Sequence, residues 1–119
     1  MVGRLGFVPP EYGSVRDRQN FDADYPERAG QIIARLLLDH DEVWVRRSPS
    51  GRGFHVVVDS EPDLVERWLL WDCWGRLTSD LKRKKAGLPV GILFAYKNGR
   101  FASRWVRVRA IDVGRWSAR

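Results

Sequence analysis

The chain has 119 residues, of which 44% are hydrophobic and 30% charged, and this composition is typical of a single globular domain. No apolar run approaches the roughly 18 residues that a membrane-spanning helix needs, and the N-terminal segment does not resemble a secretory signal. The only cysteine, Cys73, excludes an intrachain disulfide, and with two histidines it excludes a zinc finger. We therefore expect a cytoplasmic protein that makes no use of a membrane.

Positive charge is concentrated in the C-terminal third of the chain. The net charge is +6, and residues 82–119 contain eleven Lys and Arg against a single acid, Asp112. Such clustering is typical of a protein that binds a phosphate backbone. DNA or RNA is thus the expected partner, and the alternative is a basic surface that only keeps the protein soluble.

The first predicted elements are an irregular lead and a helix. Residues 1–20 form the lead, with at most a short strand at Arg4–Val8. The helix is predicted from Pro26 to Asp39, since proline suits the first helical turn and Asp24 precedes it as a candidate cap. Its apolar residues recur at helical spacing on one stripe: Ala29, Ile32, Ile33, Leu36 and Leu37.

A hairpin and a second helical region follow. Strands are predicted at Glu42–Arg47 and Gly53–Asp59, with a Ser/Gly turn between them. The hydroxyl of Ser60 is expected to cap the next helix, and Gly75 is expected to interrupt it before a second short helix that ends in the basic run 82–85. The tryptophans of this region, Trp68 and Trp71, are predicted to be core residues.

The last elements are predicted to be two strands, Val90–Lys97 and Arg100–Arg109, which flank an Asn-Gly type I′ turn. The order β–α–β–β–α(α)–β–β predicts an α+β fold with helices on one face of an antiparallel sheet, in a ferredoxin-like or RNA-recognition-like arrangement. One domain is expected, with a core at 21–112 and a tail at 113–119. The open face of such a sheet is a common platform for nucleic acid.

The turn of the first hairpin is the leading candidate for a phosphate site. It contains two hydroxyls, a guanidinium and two glycines: Ser48, Ser50, Gly51, Arg52 and Gly53. Hydroxyls, backbone N–H groups and a guanidinium suit an anion, and glycine lets the backbone approach it closely. His55 follows on the return strand. The alternative is a flexible loop that is merely rich in turn residues.

Acidic side chains form a second candidate site. Asp22 and Asp24 lie two positions apart, so an extended strand would place both carboxylates on one face, where they suit a divalent cation. The alternative is that Asp24 caps the helix and Asp22 is a loop acid. Asp112 is a candidate third acid or, alternatively, a salt-bridge partner of the surrounding arginines.

Aromatic and basic residues elsewhere are candidates for contacts with nucleic acid. They lie on the predicted strands and at the end of the second helical region: Trp44, Arg46, Lys82, Arg83, Lys84, Lys85, Arg104 and Arg107. Strand aromatics that alternate with arginines suit base stacking and phosphate contact. Core packing of the ring and C-terminal capping by the lysine-rich run are the alternatives.

The D-x-D pair, the S-G-R-G-F-H hairpin segment and the late hydrophobic–Asp step together resemble the motif series of the archaeo-eukaryotic primase superfamily. The resemblance implies an RNA-recognition-like catalytic core. In it Asp22, Asp24 and Asp112 would hold Mg²⁺ or Mn²⁺, and Ser50 and His55 would contact the phosphates of a nucleoside triphosphate. The segment 48–58 also resembles small proteins of phages, archaeal viruses and plasmids.

The function implied is that of a small nucleic-acid-binding protein in the replication of a mobile genetic element, with metal-dependent nucleotidyl transfer if it is an enzyme. Its catalytic residues would be Asp22, Asp24, His55 and Asp112. Because the chain is short for a primase-polymerase, a non-catalytic single-strand binder is the alternative. A rolling-circle nicking enzyme is disfavoured, since His55-Val56-Val57 lacks a second histidine, and a virion or partner-binding protein is the last alternative.

Overall fold

The computed structural model describes residues 8–9, 14–70 and 72–109. These residues contain the strands β1 (Asn20–Ala23), β2 (Glu42–Arg47), β3 (Phe54–Val57), β4 (Tyr96–Lys97), β5 (Arg100–Phe101) and β6 (Val106–Arg109), and the helices α1 (Pro26–Leu36), α2 (Leu64–Leu69) and α3 (Trp74–Lys85). Most of the predicted strand at 4–8, together with Trp71, Asp112 and the predicted tail, lies outside the described residues. No helix among the described residues is long and apolar enough to cross a bilayer.

Four strands form an antiparallel sheet in the order β1-β3-β2-β6, so the predicted α+β class and antiparallel sheet are confirmed. The first three strands have the split arrangement, in which β3 lies between β1 and β2. The closing strand β6 pairs with β2, whereas a ferredoxin-like order would place it beside β1. The finer ferredoxin-like arrangement is thus not confirmed.

Helix α1 covers one face of the sheet because its apolar stripe matches the inward residues of the strands. Its buried members pack with alternate strand residues in one cluster: Phe21, Ala23, Ala29, Ile32, Leu36, Val43, Val56 and Val58. The predicted Pro26 start is confirmed, and the helix ends at Leu36, three residues before the predicted end. The predicted cap is wrong, since Tyr25 occupies the cap position and makes no side-chain hydrogen bond there.

The opposite face of the sheet is partly covered by loop segments. Val15 and Leu93 form an isolated antiparallel bridge and pack on Val57, with Trp44 and Trp105 packed against them. This contact joins segments far apart in sequence. The sheet face predicted to be open is therefore partly covered, and its part at Asp22 and His55 borders a cavity.

Both predicted hairpins form. In the first, β2 has the predicted bounds Glu42–Arg47, and β3 is shorter than the strand predicted over residues 53–59. In the second hairpin Asn98 and Gly99 have φ of 52° and 79°, as a type I′ turn requires. It pairs only two residues from each side, Tyr96 with Phe101 and Lys97 with Arg100. The predicted strand at 100–109 is divided, because its second half leaves the hairpin to pair with β2.

Helices α2 and α3 pack against one another beside β1, so the expectation that all helices share one face is wrong. The carboxylate of Asp63, rather than the hydroxyl of Ser60, caps α2 through the N–H groups of residues 65 and 66. The break between the helices comes before Trp74, and Gly75 lies within α3. Trp68, predicted to be core, is 58% exposed.

Candidate functional site

A cavity of about 690 Å³ opens where β1, the β2–β3 turn and the segment before β4 meet. It is lined by residues from separate parts of the chain: Asp22, Asp24, Tyr25, Ser48, Pro49, Ser50, Arg52, Gly53, His55, Cys73, Arg76, Ile92, Leu93, Phe94 and Lys97. The two predicted sites, the D-x-D pair and the Ser/Gly turn, thus border one cavity. Antiparallel pairing of β1 with β3 brings them together, since Asp22 lies directly opposite His55.

The serine hydroxyls give the β2–β3 turn its shape. Ser48 Oγ lies 3.0 Å from Ser50 Oγ and accepts a hydrogen bond of 3.3 Å from the N–H of Gly53. Ser50 Oγ accepts from the N–H of Arg52 at 3.3 Å. Ser48 is buried, while Ser50 and Arg52 are exposed at the cavity. The turn therefore exposes the guanidinium of Arg52 and the hydroxyl of Ser50, and hydrogen bonds within the turn fix its backbone.

Two positions of this turn require glycine. Gly51 has φ of +76°, which is strained for any residue with a side chain. A Cβ at Gly53 would lie 2.5 Å from the carbonyl oxygen of Ala23, so only glycine lets the turn approach the end of β1. This close approach brings the Ser/Gly turn against the strand end that is followed by Asp24.

A buried row of polar side chains crosses the sheet next to the cavity. Arg46 Nε donates a 3.0 Å hydrogen bond to His55 Nδ1, and the Arg46 guanidinium lies over the Trp105 ring at 4.3 Å from its centroid. Burial, then the positive charges of Arg46 and Arg76, lower the pKa of His55 to about 3. At neutral pH His55 is thus uncharged, and since Nδ1 accepts from Arg46, its proton is on Nε2.

The structure changes the role of two predicted nucleic-acid contacts. Arg46 is 2% exposed and donates a hydrogen bond to His55, so it is not placed to reach a phosphate backbone. Burial lowers the pKa of its guanidinium to about 10. Trp44 is half-buried in the cluster with Val57 and Leu93. A strand pattern of aromatics and arginines predicted exposed side chains, and the covering loop segments bury them instead.

Asp22 lies next to His55 on the neighbouring strand, and hydrogen bonds fix its backbone. Its N–H donates a 2.6 Å hydrogen bond to Asp72 Oδ1, and its carbonyl oxygen accepts a 3.1 Å bond from the N–H of Cys73. Burial raises the pKa of its carboxyl group to about 6; Asp72 and Asp24 add to the rise, and Arg76 and Lys97 oppose it. The protein thus maintains a carboxylate whose ionisation is costly unless a cation approaches.

The carboxylates of Asp22 and Asp24 and the thiol of Cys73 have potential ligand atoms within 4.8 Å of one another. Two carboxylates suit a hard divalent cation such as Mg²⁺ or Mn²⁺, whereas a thiolate suits softer metals. Burial raises the pKa of the Cys73 thiol, which disfavours its thiolate. The carboxylate pair therefore fits the implied cation, and Cys73 is a neighbour that sequence reasoning did not select.

A buried ionic network behind Asp22 was also missed from the sequence. Arg67 Nη1 pairs with Asp80 Oδ2 at 2.7 Å, and its Nη2 lies 2.6 Å from Asp72 Oδ2. Arg76 pairs with Asp72 at 3.1 Å and donates to Asn20 Oδ1. Asp80 on α3 thus pairs with a residue of α2 rather than with a neighbour on its own helix. This network holds the α2–α3 junction against β1.

The remaining predicted contacts lie away from this cavity. The run at the end of α3 is fully exposed: Lys82, Arg83, Lys84 and Lys85. Arg83 lines a smaller neighbouring cavity. Arg104 is exposed beside the other face of the sheet, and Arg107 lies 3.6 Å from Glu42 in an ion pair. Among the described residues, these predicted contacts thus lie in more than one place on the surface.

No protein-family model, curated protein or solved structure matches this chain. The likeness to primases thus stays a prediction from the residues. Asp112, its expected third acid, lies outside the described residues. The fold brings the first two motifs of that likeness, the D-x-D pair and the S-G-R-G-F-H segment, to one cavity.

Proposed function

We propose that this chain is a small intracellular nucleic-acid-binding protein whose cavity takes a nucleoside triphosphate and a divalent cation, as in a primase-like nucleotidyltransferase of a mobile genetic element. The observation that supports this most is the meeting of Asp22, Asp24, His55 and Arg52 around one cavity. They come from β1 and from the far side of the β2–β3 turn, so local sequence alone does not explain their proximity.

The phosphate end of the substrate would lie at the turn. Arg52 is exposed at its tip, and Lys97 and Arg76 add positive charge to the cavity wall. His55 adds an uncharged N–H donor at Nε2, whose orientation is fixed by the hydrogen bond from Arg46. Guanidinium, ammonium and neutral N–H donors together provide the charge-assisted and directional contacts that a polyphosphate needs.

The carboxylate pair would hold the cation. A divalent ion would supply charge stabilisation on the phosphoryl group that is transferred. Because the pKa of Asp22 is raised to about 6, the ion competes with a proton, and its binding should strengthen as the pH rises through that value. Asp72 and Cys73 fix the backbone of Asp22 and thereby the position of its carboxylate.

Replacing Asp22 with asparagine should abolish nucleotide incorporation and leave affinity for an oligonucleotide within about twofold, because the amide cannot replace the carboxylate as a cation ligand. Incorporation is measured with labelled nucleotides, Mn²⁺ and a single-stranded template. Affinity for the oligonucleotide is measured by fluorescence anisotropy. Asp39→Asn, at an exposed ion pair on Arg35, is the matched control. Absence of incorporation by the unaltered protein would leave the non-catalytic single-strand binder as the function.

Replacing Arg52 with alanine should weaken binding to single-stranded DNA or RNA and make the dependence of log affinity on log salt shallower by about one. The reason is the loss of one phosphate contact and its counterion release. Arg35→Ala, in the last turn of α1 and not among the residues that line the cavity, is the matched control and should leave the salt dependence unchanged. Identical titrations of Arg52→Ala and the unaltered protein would refute the phosphate-binding role of the turn.

A further inference from the structure

The β4–β5 hairpin is separate from the main sheet and exposes large aromatic rings. Tyr96 is 54% exposed and Phe101 65% exposed, and their rings meet edge to face with centroids 4.8 Å apart. The adjacent Phe94 is 63% exposed. The Tyr96–Phe101 pair, with exposed Phe94 two residues before it in sequence, is apolar surface that folding leaves uncovered.

The other face of the same hairpin is cationic. Because Tyr96 pairs with Phe101 and Lys97 with Arg100, the rings share one face and the two cations lie directly opposite each other on the other face. Like charges at directly opposed positions destabilise a hairpin. The segment 81–109 contains nine Lys and Arg and no acid, so the segment itself provides no compensating negative charge. An anionic ligand would compensate both cations.

The hairpin also adjoins the nucleotide cavity. Phe94 and Lys97 line that cavity, and Lys97 lowers the pKa of Asp22. Phe94, Ile92 and Arg76 also line a second cavity of about 170 Å³, which extends to Arg83 on α3. The two cavities therefore adjoin, and Phe94 lies between the carboxylates of the first and Arg83 at the basic end of α3.

We infer that the β4–β5 hairpin binds a single-stranded polynucleotide. Bases stack on the face that carries Tyr96 and Phe101, and the long side chains of Lys97 and Arg100 reach the phosphates where the backbone passes the edge of the hairpin. The strand continues past Phe94 toward Arg83. Unpaired bases are required because only they expose faces for stacking. The inference rests on the proposed function, since a strand held here would lie beside the nucleotide cavity as a template does.

The test compares two ligands on the full-length chain. A fluorescent single-stranded oligothymidylate reports on the hairpin, and a fluorescent nucleoside triphosphate with Mn²⁺ reports on the cavity. The double variant Tyr96→Ala/Phe101→Ala should bind the oligonucleotide at least about tenfold more weakly. It should bind the nucleotide unchanged. Single-stranded DNA should bind the unaltered protein at least about tenfold more tightly than duplex of the same length.

Two further variants sharpen the result. Trp68→Ala removes an equally exposed ring from α2 and should leave oligonucleotide affinity unchanged. Lys97→Gln/Arg100→Gln should reduce the slope of log affinity against log salt by about two, if both cations contact phosphates. Unaltered circular dichroism and thermal melting show that each variant is folded.

The outcomes separate this inference from the proposed function. Nucleotide binding with unchanged oligonucleotide affinity in the aromatic double variant overturns the inference alone. Equal affinity for duplex and single strand also overturns it, because stacking on the rings would then contribute nothing. A protein that binds neither the triphosphate nor the oligonucleotide overturns the proposed function together with the inference. Loss of oligonucleotide binding in the double variant only, with nucleotide binding retained, supports both.

Discussion

Replacing Arg67 with methionine should lower the free energy of unfolding by about 3–5 kcal/mol, because it leaves the Asp80 carboxylate without its cation and the Asp72 carboxylate with Arg76 alone in a buried site. Arg67 is 2% exposed and contacts Asp72 and Asp80 at 2.6 Å and 2.7 Å. Methionine retains much of the volume, so the loss is electrostatic rather than the result of a cavity. Urea denaturation followed by tryptophan fluorescence measures it.

An exposed ion pair provides the control. Arg35 and Asp39 lie 3.4 Å apart with side chains 54% and 63% exposed, so Arg35→Met should cost no more than about 1 kcal/mol. If Arg67→Met gives no folded protein, Asp80→Asn tests the same network more gently, since the amide oxygen can still accept from Arg67. A loss below about 1 kcal/mol in Arg67→Met would contradict a stabilising role for the network.

The network matters for the site because it holds Asp22 in place. Asp72 accepts hydrogen bonds from Arg67 and from the backbone N–H of Asp22, so one carboxylate joins the helical pair to β1. The outer edge of β1, which would otherwise expose unpaired backbone groups, is satisfied by this junction. The same contacts that protect the edge also orient the candidate cation ligand.

Local sequence signals predicted the elements that depend on local physics. The proline and apolar stripe placed α1, and the Asn-Gly pair placed the β4–β5 turn, because each requires only neighbouring residues. The β2–β3 hairpin was likewise predicted from turn residues between β-branched runs. These features are specified by backbone preferences that tertiary contacts did not override.

The features that sequence reasoning missed all depend on distant contacts. Arg46 is buried against the Trp105 ring, far along the chain, and the pairing of Arg67 with Asp80 crosses a helix break. Neither has a periodicity that a single sequence displays. The shared cavity of Asp22 and His55 likewise depends on the pairing of β1 with β3, a contact that no local signal in the sequence specifies.

Titration of His55 and Asp22 should make opposite contributions to stability. The pKa of His55 falls from 6.5 to about 3 on folding, so its contribution is complete above pH 6.5 and is lost as the pH falls toward 3. The pKa of Asp22 rises from 3.8 to about 6, so stability is gained as the pH falls from 6 to 3.8. Between pH 6 and pH 3.8 the loss from His55 and the gain from Asp22 largely cancel in the free energy of unfolding.

Replacing Asp22 with asparagine should therefore increase the free energy of unfolding at pH 7 by about 2–3 kcal/mol, since each pKa unit corresponds to about 1.4 kcal/mol. The same variant should lose stability more steeply than the unaltered protein as the pH falls from 6 to 4. The loss that comes from His55 remains, and the gain that comes from protonation of Asp22 is absent. Asp24→Asn, at an exposed position, should change stability by less than about 0.5 kcal/mol. Urea denaturation at pH 7, 6, 5 and 4 measures the free energy of unfolding of each protein. An Asp22→Asn variant that is less stable than the unaltered protein at pH 7 would contradict the prediction.

A carboxylate that costs stability, in a cavity that also contains Arg52, is the pattern expected where a protein maintains charge for a ligand rather than for its fold.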